Sequence, residues 1–482
     1  MRSGVHSRAA CAVAALTATT ACGESVRHVS GPTPIAPVEL AGAAAKSGER
    51  LRAISWLSED GLSVPTGRFF DTERNEECSF QPANASEQHC LPDAAGPNLG
   101  FDIVDADCRT PVFSACYDYA RLDLGTACSS APALYELGDV IQGDPKIKPD
   151  CSFSLKTEAG GGYRRIGARI PNEAFVRASA SSSTPAGARL GVQQLSGEDG
   201  SALLLGFYDA EEDEPCAPFH LPDDGTRRCV PSSIAYAATY FDEETCSGTG
   251  RRYAEGACRR RVAYSLEEQA LYRLGKAVAR VPDYYFDGAR CWESGGGPGF
   301  EVADAVPLSA FEELVTTERG EGRVRMGTTE TADGLSVVPD PLRSYFQLRD
   351  QELERDCMIA VASDGAHRCV PLLYGTYQPN LFADDRCETP LAALTGGKRD
   401  ESEPAWLVWT PTVRQIGCPN PASTRVFELA SEPFTGTFYI PSSDADGNPL
   451  CVEYTGTRDD PLFEPAREVD PARFVRVERV AE

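Results

Sequence analysis

One unit, repeated three times with little left over, limits this chain more than any other feature of its sequence. Copies open at Arg50-Leu51, Arg189-Leu190 and Arg323-Val324, and each opening is followed by Asp60-Gly61, Asp199-Gly200 or Asp333-Gly334. Asp-Gly between apolar stretches predicts a tight hairpin, in which both central residues favour positive φ. Next come GRFFDTERNEEC, LGFYDAEEDEPC and FQLRDQELERDC, with Asp71, Asp209 and Asp350 each seven residues before Cys78, Cys216 and Cys357. The chain then returns to Cys90, Cys229 and Cys369 in QHCLP, RRCVP and HRCVP. A cysteine, a short polar turn and a second cysteine describe a hairpin clasped by a disulfide, a cross-link that removes chain entropy from the unfolded state. A zinc site is the weaker reading, since the spacing is far from C-x2-C.

Each copy continues through an acidic motif, IVDADC, FDEETC or FADDRC, ending on Cys108, Cys246 and Cys387. An aromatic motif follows, ALYELG, ALYRLG or RVFELA around Tyr135, Tyr272 and Phe427, then a further cysteine at Cys151, Cys291 and Cys451. The unit closes on Phe175, Phe311 and Phe474 in IPNEAFVRA, VPLSAFEEL and VDPARFVRV. This divides the chain into units over 49–186, 187–321 and 322–482. Consecutive pairing of the six cysteines of the first copy predicts Cys78 with Cys90, Cys108 with Cys116 and Cys128 with Cys151. Carried to the others it predicts Cys216 with Cys229, Cys246 with Cys258, Cys357 with Cys369 and Cys418 with Cys451. Cys291 and Cys387 are then left over, to bridge two units or stay as free thiols.

The ladder FYD…C…RCxP…DxxC…LYxLG…C resembles tandem-repeat, cysteine-rich envelope lipoproteins of unknown function found in myxobacteria, over almost all of the mature chain. The match departs at Leu348-Arg349, where the first unit has Phe69-Phe70. The resemblance implies an envelope location and a shared fold, and no activity.

The amino terminus agrees with export. Arg2 and Arg8 precede the short apolar run Ala9 to Ala21, which is shaped like a signal peptide over 1–21 and is too short to span a bilayer. Thr19-Thr20-Ala21-Cys22-Gly23 resembles a lipobox, which implies acylation of Cys22, with Thr19 standing where Leu is usual; cleavage without a lipid is the alternative. Residues 22–48, rich in Gly, Ala, Pro and Ser, read as a lipid-anchored stalk. Membrane contact is then through the anchor only.

Each unit offers about seven or eight short segments of strand composition between turn residues, the pattern of an all-β fold. Three Cys-rich units point to a closed six-bladed propeller-like ring, with the strand after Phe474 lying beside Leu51 to Ile54; three separate small β domains are the alternative. Residues 264–281 have helix-forming composition, but Tyr272 aligns with Tyr135 and Phe427, whose surroundings carry Pro132, Gly138 and Pro421, so the repeat predicts a strand there.

Catalytic motifs are missing from the sequence. It contains no GxSxG elbow, no phosphate-binding GxxxxGK[ST] loop and no GxGxxG after a strand. Its histidines, His28, His89, His220 and His367 in the mature chain, lack metal-ligand spacing and read as hairpin surface. With 72 acidic against 46 basic side chains and a net charge of −26, the chain repels phosphate backbones, which excludes nucleic acid as a partner. No cofactor is expected. Calcium is the one cation weighed, at Asp444-Ala445-Asp446-Gly447-Asn448, a stretch that lacks the Gly and Glu of a complete loop and reads as a turn. The repeated acids Asp105, Asp107, Asp242, Glu244, Asp384 and Asp385 would make a three-fold array on one face of a ring. Arg251-Arg252 and Arg259-Arg260-Arg261 make a small basic patch suited to an anionic sugar or lipid. The expected function is a non-enzymatic envelope module that binds protein or polysaccharide, or serves a structural role, on a β scaffold. The alternative is an extracellular hydrolase or lyase with carboxylates as acid and base in a central cleft.

Overall fold

A computed structural model describes residues 44–82, 87–93, 95–96, 103–105, 107, 112–114, 117–123, 132–141, 146–147, 153–154, 162–220, 226–247, 249–256, 260–286, 291–293, 296–337, 348–372, 376–377, 380–394, 406–410, 423–443, 449–455 and 461–482. The signal segment, Cys22, most of the stalk, Cys108, Cys116, Cys128, Cys151, Cys258, Cys418 and residues 444–448 lie outside them. The protein is all-β. Its described helical elements are three 3-10 turns, Asn172–Ala174, Leu308–Ala310 and Pro471–Arg473, each leading into one of the repeated phenylalanines. The stretch of helix-forming composition contains the strand Ala270–Val278, hydrogen-bonded on one edge to Val262–Ser265 and on the other to Gly299–Val306. Pairing on both edges satisfies its backbone and overrides local propensity.

The Asp-Gly hairpins form, with a three-residue loop in place of the expected two-residue turn. Ser58, Gly197 and Thr331 donate their amides to Leu62, Ser201 and Leu335 carbonyls, and only the glycines, Gly61, Gly200 and Gly334, take positive φ, of 92°, 85° and 87°. That is the type I turn plus left-handed residue that an Asp-Gly pair also supports. In the first unit the hairpin Leu51–Ser58 and Ser63–Asp71 extends antiparallel through Glu76–Pro82 and Gln88–Pro92 to Arg177–Ser183, which pairs in turn with Leu190–Gly197 of the second unit. The second unit repeats this path and hands over from Glu313–Arg319 to Val324–Thr331. The third ends on Val477–Ala481, which pairs antiparallel with Leu51–Ser58, Val477 opposite Ser58 and Ala481 opposite Ile54. One hydrogen-bonded circuit therefore closes on itself.

Three cores sit along the circuit, and each is completed by the next unit. Leu195 and Leu203 from the second unit's hairpin enter the core of Leu51, Phe69, Cys78 and Cys90. Val337 of the third unit enters that of Leu190, Phe207 and Leu314, and Leu62 and Val64 of the first pack on Val324, Met326 and Val475. Hairpin tips lock the same joints. Asp199 Oδ2 accepts from the Arg50 and Leu51 amides at 3.2 and 2.8 Å, and Asp60 Oδ2 accepts from Val324 at 2.9 Å. Burial pushes the Asp60 carboxyl up, but hydrogen bonds from Ser58 and from the Val324 and Arg323 amides outweigh it and hold the group below its ordinary range. A Cβ on Gly322 would stand 2.2 Å from this carboxylate, so glycine is needed for the approach.

The invariant Arg and Asp of the repeat form one cluster three times. Arg50, Arg189 and Arg323 lie against Asp71, Asp209 and Asp350, closest at 2.7, 2.8 and 2.7 Å, with each Asp 1 % exposed or less. Each Arg also donates to a carbonyl of the distant 3-10 turn, Ala174, Ala310 or Arg473. Each Asp further accepts amides from the turn that follows it. A neighbouring repeat position does similar work. His89 Nδ1, Arg228 and Arg368 reach the Phe175, Phe311 and Phe474 carbonyls at 3.4, 2.9 and 2.6 Å. His89 is thus buried in the joint, contrary to its reading as hairpin surface.

The second half of the unit is a separate small sheet. In the second unit, Ala235–Phe241, Arg251–Glu255, Gly299–Val306, Ala270–Val278 and Val262–Ser265 pair in that order, and Val262–Ser265 returns to Ala235–Phe241 in parallel, closing a five-strand barrel. The described strands do not sort into six four-stranded blades, and they are not three separate domains, because circuit pairing crosses every unit boundary. Alternation alone could not distinguish a blade from a barrel, since both bury every second residue. Each unit's small sheet is seated on the circuit through the closing phenylalanine: Leu134, Leu271 and Val426 of the aromatic motif pack with Phe175, Phe311 and Phe474.

Disulfides join Cys78 to Cys90, Cys216 to Cys229 and Cys357 to Cys369. Cys246 is joined to Cys291 rather than to Cys258, and Cys451 to Cys387 rather than to Cys418. The cysteines expected to be free or inter-unit, Cys291 and Cys387, are therefore bonded within their own units. Consecutive pairing failed because lateral strand pairing brings distant residues together. Phe241, just before the acidic turn, pairs with Tyr284, and Phe286 pairs with Cys291. These bridges close loops of 45 and 64 residues, so each stabilises by about 4 kcal/mol on chain entropy, against about 3 for the hairpin clasps. Non-reducing peptide mapping should return these five pairs. By repeat register it should also return Cys108 with Cys151, and a Cys246–Cys258 peptide would overturn the assignment.

Candidate binding site

The barrel of the second unit carries a row of aromatic residues on its outer side, covered at one end by Val281 and open at the other. Along Ala235–Phe241 the residues alternate: Ala235 and Ala237 enter the barrel core with Ala254 and Ala263, so Tyr236, Ala238 and Tyr240 share the outer face. Tyr240 is directly opposite Tyr285 on one side, and Tyr285 is opposite Trp292 on the hairpin Tyr284–Phe286 and Cys291–Glu293. Directly opposed residues in antiparallel strands lie on the same face, so Tyr240, Tyr285 and Trp292 form a ladder across three strands. Tyr253 continues it on the other side, its ring 5.9 Å from that of Tyr240 in an edge-on contact, while Tyr285 lies 6.0 Å away. The ladder runs from buried Tyr240 to Trp292, which is 44 % exposed. The Cys246–Cys291 bridge anchors its outer strand to the acidic turn.

Beside the ladder lies a cleft of about 260 Å³ lined by Tyr240, Asp242, Thr249, Arg251, Tyr253 and the segment Arg280 to Asp283. Arg280 and Asp283 form an ion pair, which raises the arginine above its ordinary value chiefly through the hydrogen bond it donates to the Asp283 carboxylate. Gly296, with φ +62°, packs on this pair; a Cβ there would stand 2.5 Å from Asp283 Oδ1. Burial first, then the Glu255 charge and Tyr285, push the Tyr240 phenol far above its ordinary value, so its hydroxyl stays protonated. The rim thus offers a guanidinium at Arg251, a carboxylate at Asp242 and a hydroxyl at Thr249 beside aromatic surface. Such a surface can hydrogen-bond and stack on a polar ligand with apolar faces.

The third unit is an internal control on whether the fold itself needs these aromatics. Its hairpin Tyr439–Ser443 and Pro449–Glu453 is tied by Cys387–Cys451 in the same way. With Phe382 paired to Tyr439 as Phe241 is to Tyr284, Leu381, Ile440 and Val452 stand where Tyr240, Tyr285 and Trp292 stand. The same hairpin is therefore built from aliphatic residues, and the aromatic ladder is a property of the second unit.

The repeated acids expected as a three-fold array sit in different surroundings. Asp105 is buried beside Arg165, Asp242 lines the cleft, and Asp384 accepts the amides of Arg386, Glu388 and Thr389 at 2.9, 3.1 and 2.7 Å. For Asp384, burial works upward, but these hydrogen bonds prevail and hold the carboxyl below its ordinary range. The acidic turns serve to place their cysteines: Cys246 and Cys387 both take positive φ, 50° and 56°, at the end of a turn. Among the described residues no group of three or more His, Cys, Asp or Glu is arranged to hold a metal ion. Of the basic patch, Arg251 faces the cleft, Arg252 pairs with Glu268 over the Tyr272 ring, and Arg260 donates to the Ile234 carbonyl. His367 packs on Trp56 with rings 4.6 Å apart, and burial, then Arg479, lower its pKa. Among the described residues no helix is long and apolar enough to cross a membrane. Five disulfides point to an oxidising, extracellular setting.

The ladder escaped the sequence reading, although AYAATYF and the YYF before Cys291-Trp292 carry it. Comparing those segments with the aliphatic ones of the third unit would have isolated it. The model of a family of unknown function (DUF7481) matches residues 150–445, which is more than half of the chain. No curated protein and no solved structure matches.

Proposed function

This chain belongs to the DUF7481 family of unknown function, and from that premise we propose that it is a non-enzymatic, exported envelope module whose second barrel binds polysaccharide. The single observation that carries this reading is the Tyr240–Tyr285–Trp292 ladder beside a polar cleft, present in the second unit and replaced by Leu381, Ile440 and Val452 in the third. Sugars present apolar C–H faces and hydroxyl edges together, and a wall of rigid aromatic rings rimmed by Asp242, Thr249 and Arg251 suits both. The closed circuit supplies a rigid base, and an acylated Cys22 with the stalk over residues 22–48 would hold that base off the membrane at the bacterial cell envelope. The amino-terminal peptide of the disulfide map tests that anchor by its mass.

Retention on immobilised cellulose, xylan, chitin, amylose and polygalacturonate tests the binding reading. The protein is expected to be retained by at least one of them. Trp292→Ala should weaken retention roughly 30-fold, the scale for an aromatic at the centre of an interface, and Val452→Ala should leave it unchanged. Equal loss in both variants, or retention by none of the five polymers, would sink the proposal. The bound polymer should be recovered unshortened; released oligosaccharides would favour a hydrolase or lyase instead.

A further inference from the structure

We infer that the cleft beside Tyr240 takes a zwitterionic segment of a glycan, one that carries a carboxylate and an ammonium on neighbouring sugars, with Arg251 donating to the carboxylate and Asp242 accepting from the ammonium. The inference rests on the polysaccharide reading above and names the chemical class of the polymer.

Three observations carry it. The first is a pair of opposite charges left unspent on one face. Tyr240 is directly opposite Arg251, and Asp242 and Thr249 lie two residues beyond them toward the turn, so all four line the cleft from the same two-strand ribbon. Arg251 and Asp242 are exposed, and among the described residues neither makes an ion pair or a side-chain hydrogen bond. Nearby arginines are engaged: Arg252 with Glu268, Arg260 with the Ile234 carbonyl and Arg280 with Asp283. Diagonal neighbours on a ribbon stand about 7–8 Å apart, and opposite charges so placed that do not pair leave room between them for the two charges of a ligand. The second is a pair of buried hydroxyls. Tyr240 and Tyr253 line the cleft, are 5 and 8 % exposed, and have no hydrogen-bond partner for their hydroxyls among the described residues. Buried hydroxyls are ordinarily satisfied, and the cleft is where a partner for these two can enter. Tyr240 stays protonated, so it offers sugar hydroxyls a donor as well as an acceptor.

The third is charge balance. Arg251 and Arg280 offset Asp242 and Asp283, so the lining as a whole is neutral. A polyanion would meet Asp242, the Glu255 charge felt at Tyr240, and a chain of net charge −26. A polycation, drawn at long range by the same net charge, would meet Arg251 in the cleft. A neutral glycan uses neither Arg251 nor Asp242 as a charge. A segment that carries both signs uses the two together and leaves the balance of the cleft unchanged.

Titration of the whole protein with four tetrasaccharides tests the inference. N-deacetylated hyaluronan alternates glucosamine with glucuronate and carries both charges, hyaluronan itself is anionic, chitosan cationic and chitin neutral. The N-deacetylated oligomer should bind roughly tenfold more tightly than the chitin oligomer, the scale of one charge-assisted hydrogen bond, and more tightly than either singly charged one. Arg251→Gln should lower its affinity roughly tenfold on the same scale and weaken hyaluronan while sparing chitosan; Asp242→Asn should lower it as much and weaken chitosan while sparing hyaluronan. Both side chains are exposed, so neither replacement threatens folding, and an unchanged unfolding midpoint verifies that. An N-deacetylated oligomer that binds no better than chitin, or that is indifferent to both replacements, would overturn the zwitterionic ligand, while chitin binding would keep the polysaccharide reading. Displacement of the oligomer by an equal concentration of the zwitterionic dipeptide alanyl-alanine would overturn the glycan as carrier of the charges. Binding by none of the four overturns the inference, and retention on the immobilised polymers then decides the polysaccharide reading on its own.

Discussion

Removing residues 477–482 is expected to cost the protein most of its stability, although the segment is short and five of the molecule's disulfides stay in place. The segment closes the circuit by pairing five residues with Leu51–Ser58, buries Val477, and ends with the Glu482 amide donating to Ala53 and the Ser47 hydroxyl donating to the Glu482 carbonyl. At about 1 kcal/mol net for each ladder hydrogen bond and about 1.5–3 for a buried valine, the loss is about 5 kcal/mol or more. That rivals the about 5–15 kcal/mol by which whole domains are stable. It also exposes Leu51–Ser58 as a bare sheet edge, an invitation to aggregate. Chemical unfolding and limited proteolysis would show it as a much lower midpoint and early cleavage of the first unit. A circular permutant separates strand loss from topology. Ser47 and Glu482 touch, so the ends can be joined by a short linker and the chain reopened within 184–188, ahead of Arg189. Arg177–Ser183 then becomes the closing strand on Leu190–Gly197, with the same pairing. The permutant should lie within about 1–2 kcal/mol of the parent, a range expected when every native contact is kept and only loop entropy changes. A truncated chain as stable as the parent would show that the circuit is not closed there.

Asp209→Ala should destabilise by about 3–5 kcal/mol, the scale for removing one partner of a buried ion pair. Asp209 is fully buried and bidentate to Arg189, whose guanidinium also holds the Ala310 carbonyl, and its Oδ1 receives the Glu211 and Glu212 amides. Its loss leaves a guanidinium and two amides without their acceptor at the place where circuit, 3-10 turn and barrel meet. Asp71→Ala and Asp350→Ala should behave alike, since Arg50 and Arg323 make the same contacts. Asp364→Ala is the contrast. It breaks the more exposed Asp364–Arg368 pair and should cost below about 1 kcal/mol. Urea unfolding midpoints measure all four. Equal small effects would mean that the triplicated cluster is not what holds the joints.

Much of the circuit was legible from residue types alone. Asp-Gly reported the hairpins, two cysteines 12 or 13 residues apart across a polar turn reported the clasps, and the triplicated Arg and Asp marked positions that prove to be paired. The closing strand after Phe474 was legible for a physical reason: the first two copies show Phe175 leading into Leu190 and Phe311 into Val324, so closure needs only the same step taken once more. The barrel of the second unit was not legible. A parallel return such as Val262–Ser265 onto Ala235–Phe241 leaves no local signature, because it is made by residues 28 apart whose alternation would serve any sheet. The disulfides over 45 and 64 residues and the aromatic ladder follow from pairings still more distant in sequence, Phe241 with Tyr284 and Phe382 with Tyr439, and were hidden for the same reason.

By itself, then, the sequence determined what periodicity, turn chemistry and repetition encode: an all-β chain, three copies, clasped hairpins and a strand poised to close them. Tertiary structure alone decided which strand lies beside which in the second half of each unit. That choice joined Cys246 to Cys291, divided the basic patch and set Tyr240, Tyr285 and Trp292 in one row. Lateral pairing between distant segments is decided by the total burial it achieves, and no short stretch of residues records that total.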